Sequence, residues 1–230
     1  MIKDSVIIIT GASRGIGKAM AFHFSKLGAK IVLAARSKNT MLEFSKKLPG
    51  EYLVVKTDVC SEKSVKNMIN QTIKKFGRID VLINNAGHGE SLSVFDTTTE
   101  IWENIIKTNL TGSFITTRET LVHMKKTGGR IVFIASTAGM GSRPEWAAYA
   151  ASKAGVINFA MSMSRALESY GVKVFCISPA GTDTDLRKKL VPDEDPLKIM
   201  KPKDVVNVVE YCLTDEGDAI EGQPIIVKVR

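Results

Sequence analysis

Cysteine, histidine and aromatic residues are all scarce in this sequence, and their scarcity narrows the class of protein. The three cysteines, Cys60, Cys176 and Cys212, are widely separated and odd in number. Their spacing matches neither a disulfide framework nor a metal site, which favours a reducing, cytoplasmic compartment. The three histidines form no cluster along the sequence, so no bound metal is expected.

Long apolar runs are missing as well. The first run, at residues 6–9, ends at Thr10-Gly11, whereas a membrane-spanning helix needs about 20 apolar residues. The run is predicted as a buried strand rather than part of a signal peptide, and no membrane contact is expected. Hydrophobic residues still make up 44% of the 230, which is enough for the core of a single domain covering residues 1–230.

The charge balance is basic, but no segment concentrates the charge. Lysine and arginine number 32 against 24 acidic residues, which gives a formal net charge of +8. A basic surface suits nucleic acid, an acidic protein or a phosphorylated ligand. Because the charges are spread out and aromatic residues make up only 7%, no nucleic-acid partner is expected.

Apolar, strand-like runs alternate with helix-like segments along the whole sequence. Most runs are continuously apolar and β-branched, as in parallel strands buried on both faces. The alternation predicts an α/β fold, a single Rossmann-type doubly wound domain with a seven-stranded parallel sheet and helices on both faces. The charged, proline-containing residues 185–201 are predicted to form a substrate flap, either mobile or a pair of short helices. Strands are predicted near residues 5–10, 30–35, 52–56, 79–83, 130–135, 173–177 and 224–229, and helices near 15–27, 39–48, 62–76, 99–126, 145–170 and 203–214.

A glycine-rich turn follows the first predicted strand and opens the first helix. It reads Thr10-Gly11-Ala12-Ser13-Arg14-Gly15-Ile16-Gly17. Glycines let a backbone approach a phosphate closely, and a helix N-terminus offers free N–H groups and partial positive charge. The turn therefore predicts a site for the pyrophosphate of a dinucleotide, although the spacing differs from the common G-x-G-x-x-G.

The end of the second predicted strand indicates which dinucleotide is bound. It reads Ala34-Ala35-Arg36-Ser37, without the acidic residue that usually holds the ribose 2′-hydroxyl of NAD. Arg36 and Arg14 offer guanidinium groups that suit a 2′-phosphate. NADP(H) is therefore the expected cofactor.

Tyr149 and Lys153 lie four residues apart in a predicted helix, so they share one face. A lysine ammonium near a tyrosine hydroxyl favours the phenolate, which predicts a pKa of Tyr149 below its usual value near 10. Such a tyrosine exchanges a proton near neutral pH. Ser136 ends the fifth predicted strand, at the edge of the sheet where ligands bind.

Together these motifs resemble the classical short-chain dehydrogenase/reductase family from about Val6 to Val227. The resemblance rests on TGASRGIG at residues 10–17, NNAG at 84–87, the spacing of Ser136, Tyr149 and Lys153, and Pro179 followed by Thr184. It implies that an alcohol and a carbonyl compound are interconverted by hydride transfer to or from a nicotinamide.

The resemblance also implies a role for each matching residue. Tyr149 would be the general acid of reduction, Ser136 would bind the substrate oxygen, and Lys153 would hold the nicotinamide ribose and lower the pKa of Tyr149. Asn109 would anchor a water that links Lys153 to solvent; its alternative is a helix residue bonded to backbone. The implied cofactor-binding residues are Gly11, Ser13, Arg14, Gly15, Ile16, Gly17, Arg36, Ser37, Asp58, Val59, Asn85, Ala86, Gly87, Tyr149, Lys153, Pro179, Thr182 and Thr184.

The substrate is less well specified. Met140, Trp146 and Leu186 are expected to flank the pocket, with His88 near its mouth, which suggests a partly apolar substrate. Thr184 has a second interpretation, as the cap of a helix that begins at Asp185.

The sequence departs from the family at several points. Ala180 replaces the usual glycine after Pro179, and Phe175 replaces an asparagine in the sixth strand. The family forms dimers and tetramers, so a homodimer or homotetramer is expected. The sequence stops soon after the last strand, which leaves the choice between them open.

The sequence leaves three functions open. The first is NADPH-dependent carbonyl reduction. The second is reduction of a 3-oxoacyl thioester on an acyl carrier protein, although the arginines that bacterial versions use for docking correspond here to Thr127 and Tyr170, with Lys125, Lys126 and Lys173 nearby. The third is a non-catalytic dinucleotide-binding regulator on the same fold.

Overall fold

A computed structural model describes residues 2–229. Its centre is a seven-stranded sheet in the order β3-β2-β1-β4-β5-β6-β7, and all pairs of neighbouring strands are parallel. This confirms the predicted doubly wound architecture. The strands are β1 (Val6–Thr10), β2 (Lys30–Ala35), β3 (Tyr52–Lys56), β4 (Val81–Asn84), β5 (Gly129–Ile134), β6 (Val172–Pro179) and β7 (Pro224–Val227).

Helices cover both faces of the sheet and create two cores. On one face Met20 and Phe24 pack with Val205 and Val209, and on the other face Val65 belongs to a second core. β1 is buried at every position, which explains its unbroken apolar sequence. The helices are α1 (Gly15–Lys26), α2 (Lys38–Ser45), α3 (Glu62–Phe76), α4 (Thr99–Ile106), α5 (Gly112–Met124), α6 (Ala147–Leu167), α7 (Asp185–Leu190) and α8 (Pro202–Cys212).

The predicted helix at 99–126 contains an irregular stretch in its middle. The π-helical segment Lys107–Thr111 joins α4 to α5, and the helix ends at Met124 before the positive-φ residue Gly128. Single π turns of this kind often mark functional positions. Asn109 lies in this segment.

Other boundaries differ because side chains and short turns end the regular elements. The predicted strand at 79–83 begins only at Val81, because the carboxylate of Asp80 accepts a 2.8 Å hydrogen bond from the backbone N–H of Val6. The predicted helix at 145–170 is α6 with a 3₁₀ turn at each end, Pro144–Trp146 and Glu168–Tyr170.

The segment 185–201 contains one helix, α7, followed by irregular chain, rather than a pair of helices. The carboxyl-terminal end of this segment is fixed, because Met200 is buried and forms an isolated parallel β-bridge with Thr182. Among the helices that the structure describes, none combines the length and apolar character required to cross a bilayer.

Candidate functional site

A cavity of about 770 Å³ opens at the carboxyl ends of the strands, beside β1, where the strand order reverses. Ligands of doubly wound folds bind at this position. The cavity brings together most of the residues that the sequence predicts for the site. Those that border it are Gly11, Ser13, Arg14, Gly15, Ile16, Arg36, Ser37, Asp58, Val59, Asn85, Ala86, Gly87, Ser136, Trp146, Tyr149, Lys153, Pro179, Thr182, Thr184 and Leu186.

The glycine turn and the loop after β4 are joined by hydrogen bonds. The hydroxyl of Thr10 accepts the backbone N–H groups of Asn85 and Ala86 at 3.0 and 3.1 Å. Gly11 has φ +64°, and a Cβ there would lie 2.8 Å from the Cα of Ala86. Only glycine allows this approach.

Two predicted cofactor residues, Asn85 and Gly17, support the turn, and only Asn85 also borders the cavity. The amide nitrogen of Asn85 donates to the carbonyl oxygens of Thr10 and Gly11 at 2.9 and 3.3 Å. Gly17 does not border the cavity among the described residues, because it packs behind the turn, where a Cβ would lie 2.5 Å from the carbonyl oxygen of Gly11.

The first turn of α1 fits the pyrophosphate of a dinucleotide. Its N-cap residue, Arg14, makes no side-chain capping bond, and the turn contains no acidic residue. The first N–H groups of a helix have no partners within the helix, and they attract anions. An uncapped helix start beside the glycine turn is therefore suited to phosphate.

The far end of the cavity is basic. Arg36 is exposed after β2, and Arg14 is exposed with its Nη1 3.8 Å from an oxygen of Asp185. A pair so exposed contributes little stability, so both guanidinium groups are accessible to a ligand. Asp58 accepts a 3.0 Å hydrogen bond from the N–H of Cys60 and thereby shapes the loop after β3.

Tyr149, Ser136 and Lys153 meet at the other end of the cavity. Tyr149 lies in the first turn of α6, and its buried phenol lies close to the hydroxyl of Ser136, just after β5. One turn further along α6, the ammonium of Lys153 donates a 2.8 Å hydrogen bond to the carbonyl oxygen of Ile134. This ammonium lies 5.7 Å from the centre of the Tyr149 ring.

The predicted lowering of the Tyr149 pKa is wrong for this structure. Burial raises the pKa of Tyr149, and the hydrogen bond from Ser136 and the charge of Arg187 only partly oppose it. Burial also lowers the pKa of Lys153 to about 8. Because the ammonium of Lys153 is bonded to Ile134 and is itself destabilised by burial, it does not hold Tyr149 as a phenolate.

Asn109 is buried and does not border the cavity. The side-chain oxygen of Asn109, Oδ1, accepts a hydrogen bond from the backbone N–H of His88 at 2.7 Å. The side-chain nitrogen, Nδ2, donates to the backbone carbonyl oxygen of His88 and to the hydroxyl of Ser152, both at 2.8 Å. This matches the alternative in which the side chain is bonded to backbone. Asn109 thus ties the π-helical segment to the loop after β4 and to α6.

The substrate side is only partly as predicted. Trp146 and Leu186 border the cavity, and the indole nitrogen of Trp146 donates to the hydroxyl of Ser91 at 3.2 Å. His88 and Met140 are not among the described residues that border it. The Nε2 atom of His88 lies 3.2 Å from a carboxylate oxygen of Glu90, and Met140 is 44% exposed on the surface.

Two arginines that the sequence did not single out also border the cavity, Arg143 and Arg187. Arg187 stacks 5.2 Å from the centre of the Trp146 ring and pairs with both carboxylate oxygens of Glu194 at 2.5 Å. It lies three residues after Thr184, whose hydroxyl caps α7 by accepting the N–H of Arg187. Thr184 therefore does cap the helix and also borders the cavity. The cap fixes only the backbone of Arg187, and no signal in the sequence placed its guanidinium at the cavity.

Known proteins resemble this chain in sequence and in structure. The model of the short chain dehydrogenase family matches residues 5–195. An uncharacterized oxidoreductase of Thermotoga maritima is 36% identical, with 94% of this chain and 91% of the relative covered. A 3-oxoacyl-[acyl-carrier-protein] reductase of Synechocystis is 35% identical, with 95% and 93% covered.

A solved structure shares the fold almost in full. It is a 3-ketoacyl-(acyl-carrier-protein) reductase from Brucella melitensis complexed with NADH, with a TM-score of 0.93, 27% identity and coverage of 99% of this chain and 98% of that one. The family match, the relatives and the nucleotide-binding geometry of the cavity agree. The chain therefore belongs to the short-chain dehydrogenase/reductase family, as an oxidoreductase on a Rossmann fold that binds a nicotinamide dinucleotide.

Proposed function

We propose that the protein is an NADP(H)-dependent oxidoreductase that interconverts a carbonyl compound and an alcohol, with Tyr149 as general acid and base. The observation that carries the proposal is the shape of the cavity. Ser136, Tyr149 and Lys153 meet at one end, the uncapped start of α1 lies along it, and two accessible arginines lie at the other end.

The catalytic side chains are arranged to polarise and protonate a carbonyl oxygen. The hydroxyls of Ser136 and Tyr149 lie close together at this end of the cavity, so a substrate oxygen placed beside both would meet two donors. The buried phenol stays protonated at neutral pH because burial raises its pKa, which suits proton donation in the reductive direction. A nicotinamide supplies the hydride when it is bound.

The remaining residues would hold the cofactor and the catalytic loop. Lys153 would hold the nicotinamide ribose, Thr182 and Thr184 its carboxamide, and Asp58 and Val59 the adenine. Asn109 would act as a positioning residue, because it fixes the backbone of His88 beside Gly87 and the Lys153 ammonium. The same proposal includes a water bound near Asn109, through which Lys153 would regain a proton from solvent.

The mechanism is tested by removing one oxygen atom. Tyr149→Phe should lower kcat for NADPH-dependent ketone reduction by roughly a thousandfold or more while the Kd of NADPH changes little, because the phenol is the proton donor. Tyr170→Phe is the matched control, since Tyr170 is half exposed and lies away from the cavity. Full activity in Tyr149→Phe would refute the mechanism.

A second candidate is reduction of a 3-oxoacyl thioester, and two of the relatives above carry that name. One structural observation weighs against a carrier protein that docks on Lys125, Lys126 and Lys173 and delivers its acyl group to the cavity of the same chain. These lysines lie at the amino ends of β5 and β6, on the opposite edge of the sheet from the cavity, and Lys173 is ion-paired with Asp218. Comparing kcat/KM for an acetoacetyl group on a carrier protein with that for a free ketone decides between the two.

The third candidate, a non-catalytic regulator, is disfavoured because the tyrosine, serine and lysine of the site converge as catalysis requires. It would be supported if NADPH bound but no carbonyl in a broad panel were reduced. We further propose a homodimer or homotetramer in the cytoplasm, which the free cysteines suit.

A further inference from the structure

We propose that the carbonyl substrate carries an anionic group, a carboxylate or a phosphate, and that Arg143 binds this group at the mouth of the cavity. The inference rests on the proposed function and specifies its substrate class. It begins from the charges that border the cavity and from the partners each of them has.

Most charged side chains of the cavity already have partners. Arg14 lies near Asp185, Lys153 is bonded to the carbonyl oxygen of Ile134, and Arg187 is held by Glu194. Of the cavity arginines, Arg36 and Arg143 have no carboxylate within ion-pair distance among residues 2–229, and Arg36 lies at the adenosine end proposed for a 2′-phosphate.

Arg143 lies at the catalytic end. It precedes the 3₁₀ turn Pro144–Trp146 on the segment that joins Ser136 to Tyr149. Its Nη1 donates 2.8 Å to the carbonyl oxygen of Ser142, which leaves the other guanidinium N–H groups of this exposed side chain without a protein partner. A planar guanidinium at a cavity mouth is suited to a bidentate bond with a carboxylate or phosphate.

Trp146 and Leu186 form an apolar surface of the cavity near the Arg143 guanidinium. The backbone N–H of Trp146 donates to the carbonyl oxygen of Arg143 at 3.0 Å, so the turn itself connects the two residues. The indole is fixed by Ser91 on one side and by stacking with Arg187 on the other. Trp146 and Leu186 pack against the cluster that contains Tyr149. A substrate with an apolar body and one anionic end matches this arrangement.

Paired substrates isolate the anionic group. The wild-type protein and Arg143→Gln are assayed with NADPH on levulinate and phenylglyoxylate, and on the methyl ester of each. We expect wild type to prefer at least one acid over its ester in kcat/KM. Arg143→Gln should lower kcat/KM for the acid about tenfold, mainly through KM, and leave the ester unchanged. Arg165→Gln, an exposed arginine on α6 that does not border the cavity, is the matched control and should behave as wild type.

Two further arms identify the source of the anion. Acetoacetyl coenzyme A is compared with the N-acetylcysteamine thioester, which lacks phosphate, so that a loss confined to the former in Arg143→Gln assigns the site to a phosphate. Added salt should reduce the preference for the anionic member of each pair, because Arg143 is exposed.

The outcomes separate the two proposals. If Arg143→Gln lowers the activity on anionic and neutral partners alike, or changes neither, the inference is overturned while the proposed function stands. If NADPH is not oxidised with any of these carbonyl compounds, the proposed function fails, and the inference fails with it.

Discussion

Lys153 is a cationic side chain that is only 4% exposed, and its burial has a consequence for stability as well as for catalysis. Burial lowers its pKa from 10.5 to about 8. A shift of about 2.5 units corresponds to roughly 3.4 kcal/mol at about 1.36 kcal/mol per unit, borne by the folded state whenever the lysine is charged in both states. Loss of the hydrogen bond to Ile134 would cost about 1–3 kcal/mol in return.

Lys153→Met should therefore abolish activity and yet raise the free energy of unfolding at pH 7 by about 1 kcal/mol. The pH dependence follows from the lowered pKa. Between about pH 8 and pH 10.5 the unfolded lysine keeps its proton while the folded one loses it, so wild type gains stability as the pH rises and its difference from the variant shrinks. Urea unfolding of both proteins across this range measures the difference; a variant less stable at pH 7, with no pH trend, would contradict the prediction.

Arg36 is the residue on which the preference for NADP(H) depends most directly. We expect wild type to favour NADPH over NADH in kcat/KM. Arg36→Leu should lower kcat/KM for NADPH about tenfold and leave NADH nearly unchanged, since only NADPH has the 2′-phosphate. Steady-state kinetics with both cofactors provide the measurement, with Arg165→Leu as the control. A wild-type preference for NADH would remove the basis of the proposal.

At the scale of single residues, the sequence predicts those site residues that are marked by a pattern in the nearby sequence. The glycine turn, the four-residue spacing of Tyr149 and Lys153, and the missing acid near Arg36 can all be read along the chain. The pKa of Tyr149 and the position of Arg187 over Trp146 depend on partners distant in sequence. No local pattern contains that information.

At the scale of elements, the short 3₁₀ turn after β5 and the helix α6 lie in close backbone contact. Thr137–Met140 forms the turn, and a Cβ on Gly139 would lie 2.5 Å from the backbone nitrogen of Ala154 and 2.6 Å from the carbonyl carbon of Lys153. The turn carries Ser136 at its start, and α6 carries Tyr149. The contact therefore sets the spacing between the serine and the tyrosine.

Gly139→Ala should separate the two elements, because backbone atoms cannot rotate away as a side chain does. We expect a loss of about 1–3 kcal/mol in the free energy of unfolding and a larger fall in kcat than in NADPH affinity, which chemical denaturation, kinetics and cofactor titration measure. Gly141→Ala on the same loop is the control, since a Cβ there meets nothing within 4 Å. Equal effects of both substitutions would show that the contact does not matter.

The sequence also predicts the elements unevenly. Continuous apolar runs identified the strands because burial on both faces leaves no other pattern. The π-helical segment around Asn109 was missed, because the extra residue in its turn changes hydrogen bonding without changing composition. In the segment 185–201 the charged residues gave no period, and its ion pair between Arg187 and Glu194 becomes visible only in three dimensions.

At the scale of the whole molecule, large apolar side chains are exposed on α4, α5 and α6. Trp102 and Phe114 are 42% and 43% exposed, and Met161 is 38% exposed. Phe114 also contacts Phe159 across the two helices, with ring centres 6.2 Å apart. Apolar patches of this kind often mark interfaces between proteins.

We expect a dimer formed through this face. Sedimentation velocity at micromolar concentration should show at least a dimer for wild type, whereas Phe114→Glu should sediment as a folded monomer because burying a carboxylate at the interface opposes association. Tyr211→Glu, on α8, tests the other face: it should leave the dimer intact and remove only a tetramer. A monomeric wild type would contradict the expectation.

The order of the strands divides the sheet into two halves, each formed by a continuous part of the sequence. Residues up to Phe76 form β3, β2 and β1, and residues after Gly77 form β4 to β7, so that the two halves of the sheet meet only along β1 and β4. Outside the sheet, α1 meets α8 through a 2.6 Å contact between His23 and Glu210, and Thr10 bonds to Asn85 and Ala86 at the cavity. The dinucleotide site thus does not exist in either half alone. Its ligand stabilises the docked pair by mass action, so a chain cut between α3 and β4 would reassemble more tightly when the cofactor is present, and reassembly would itself report cofactor binding.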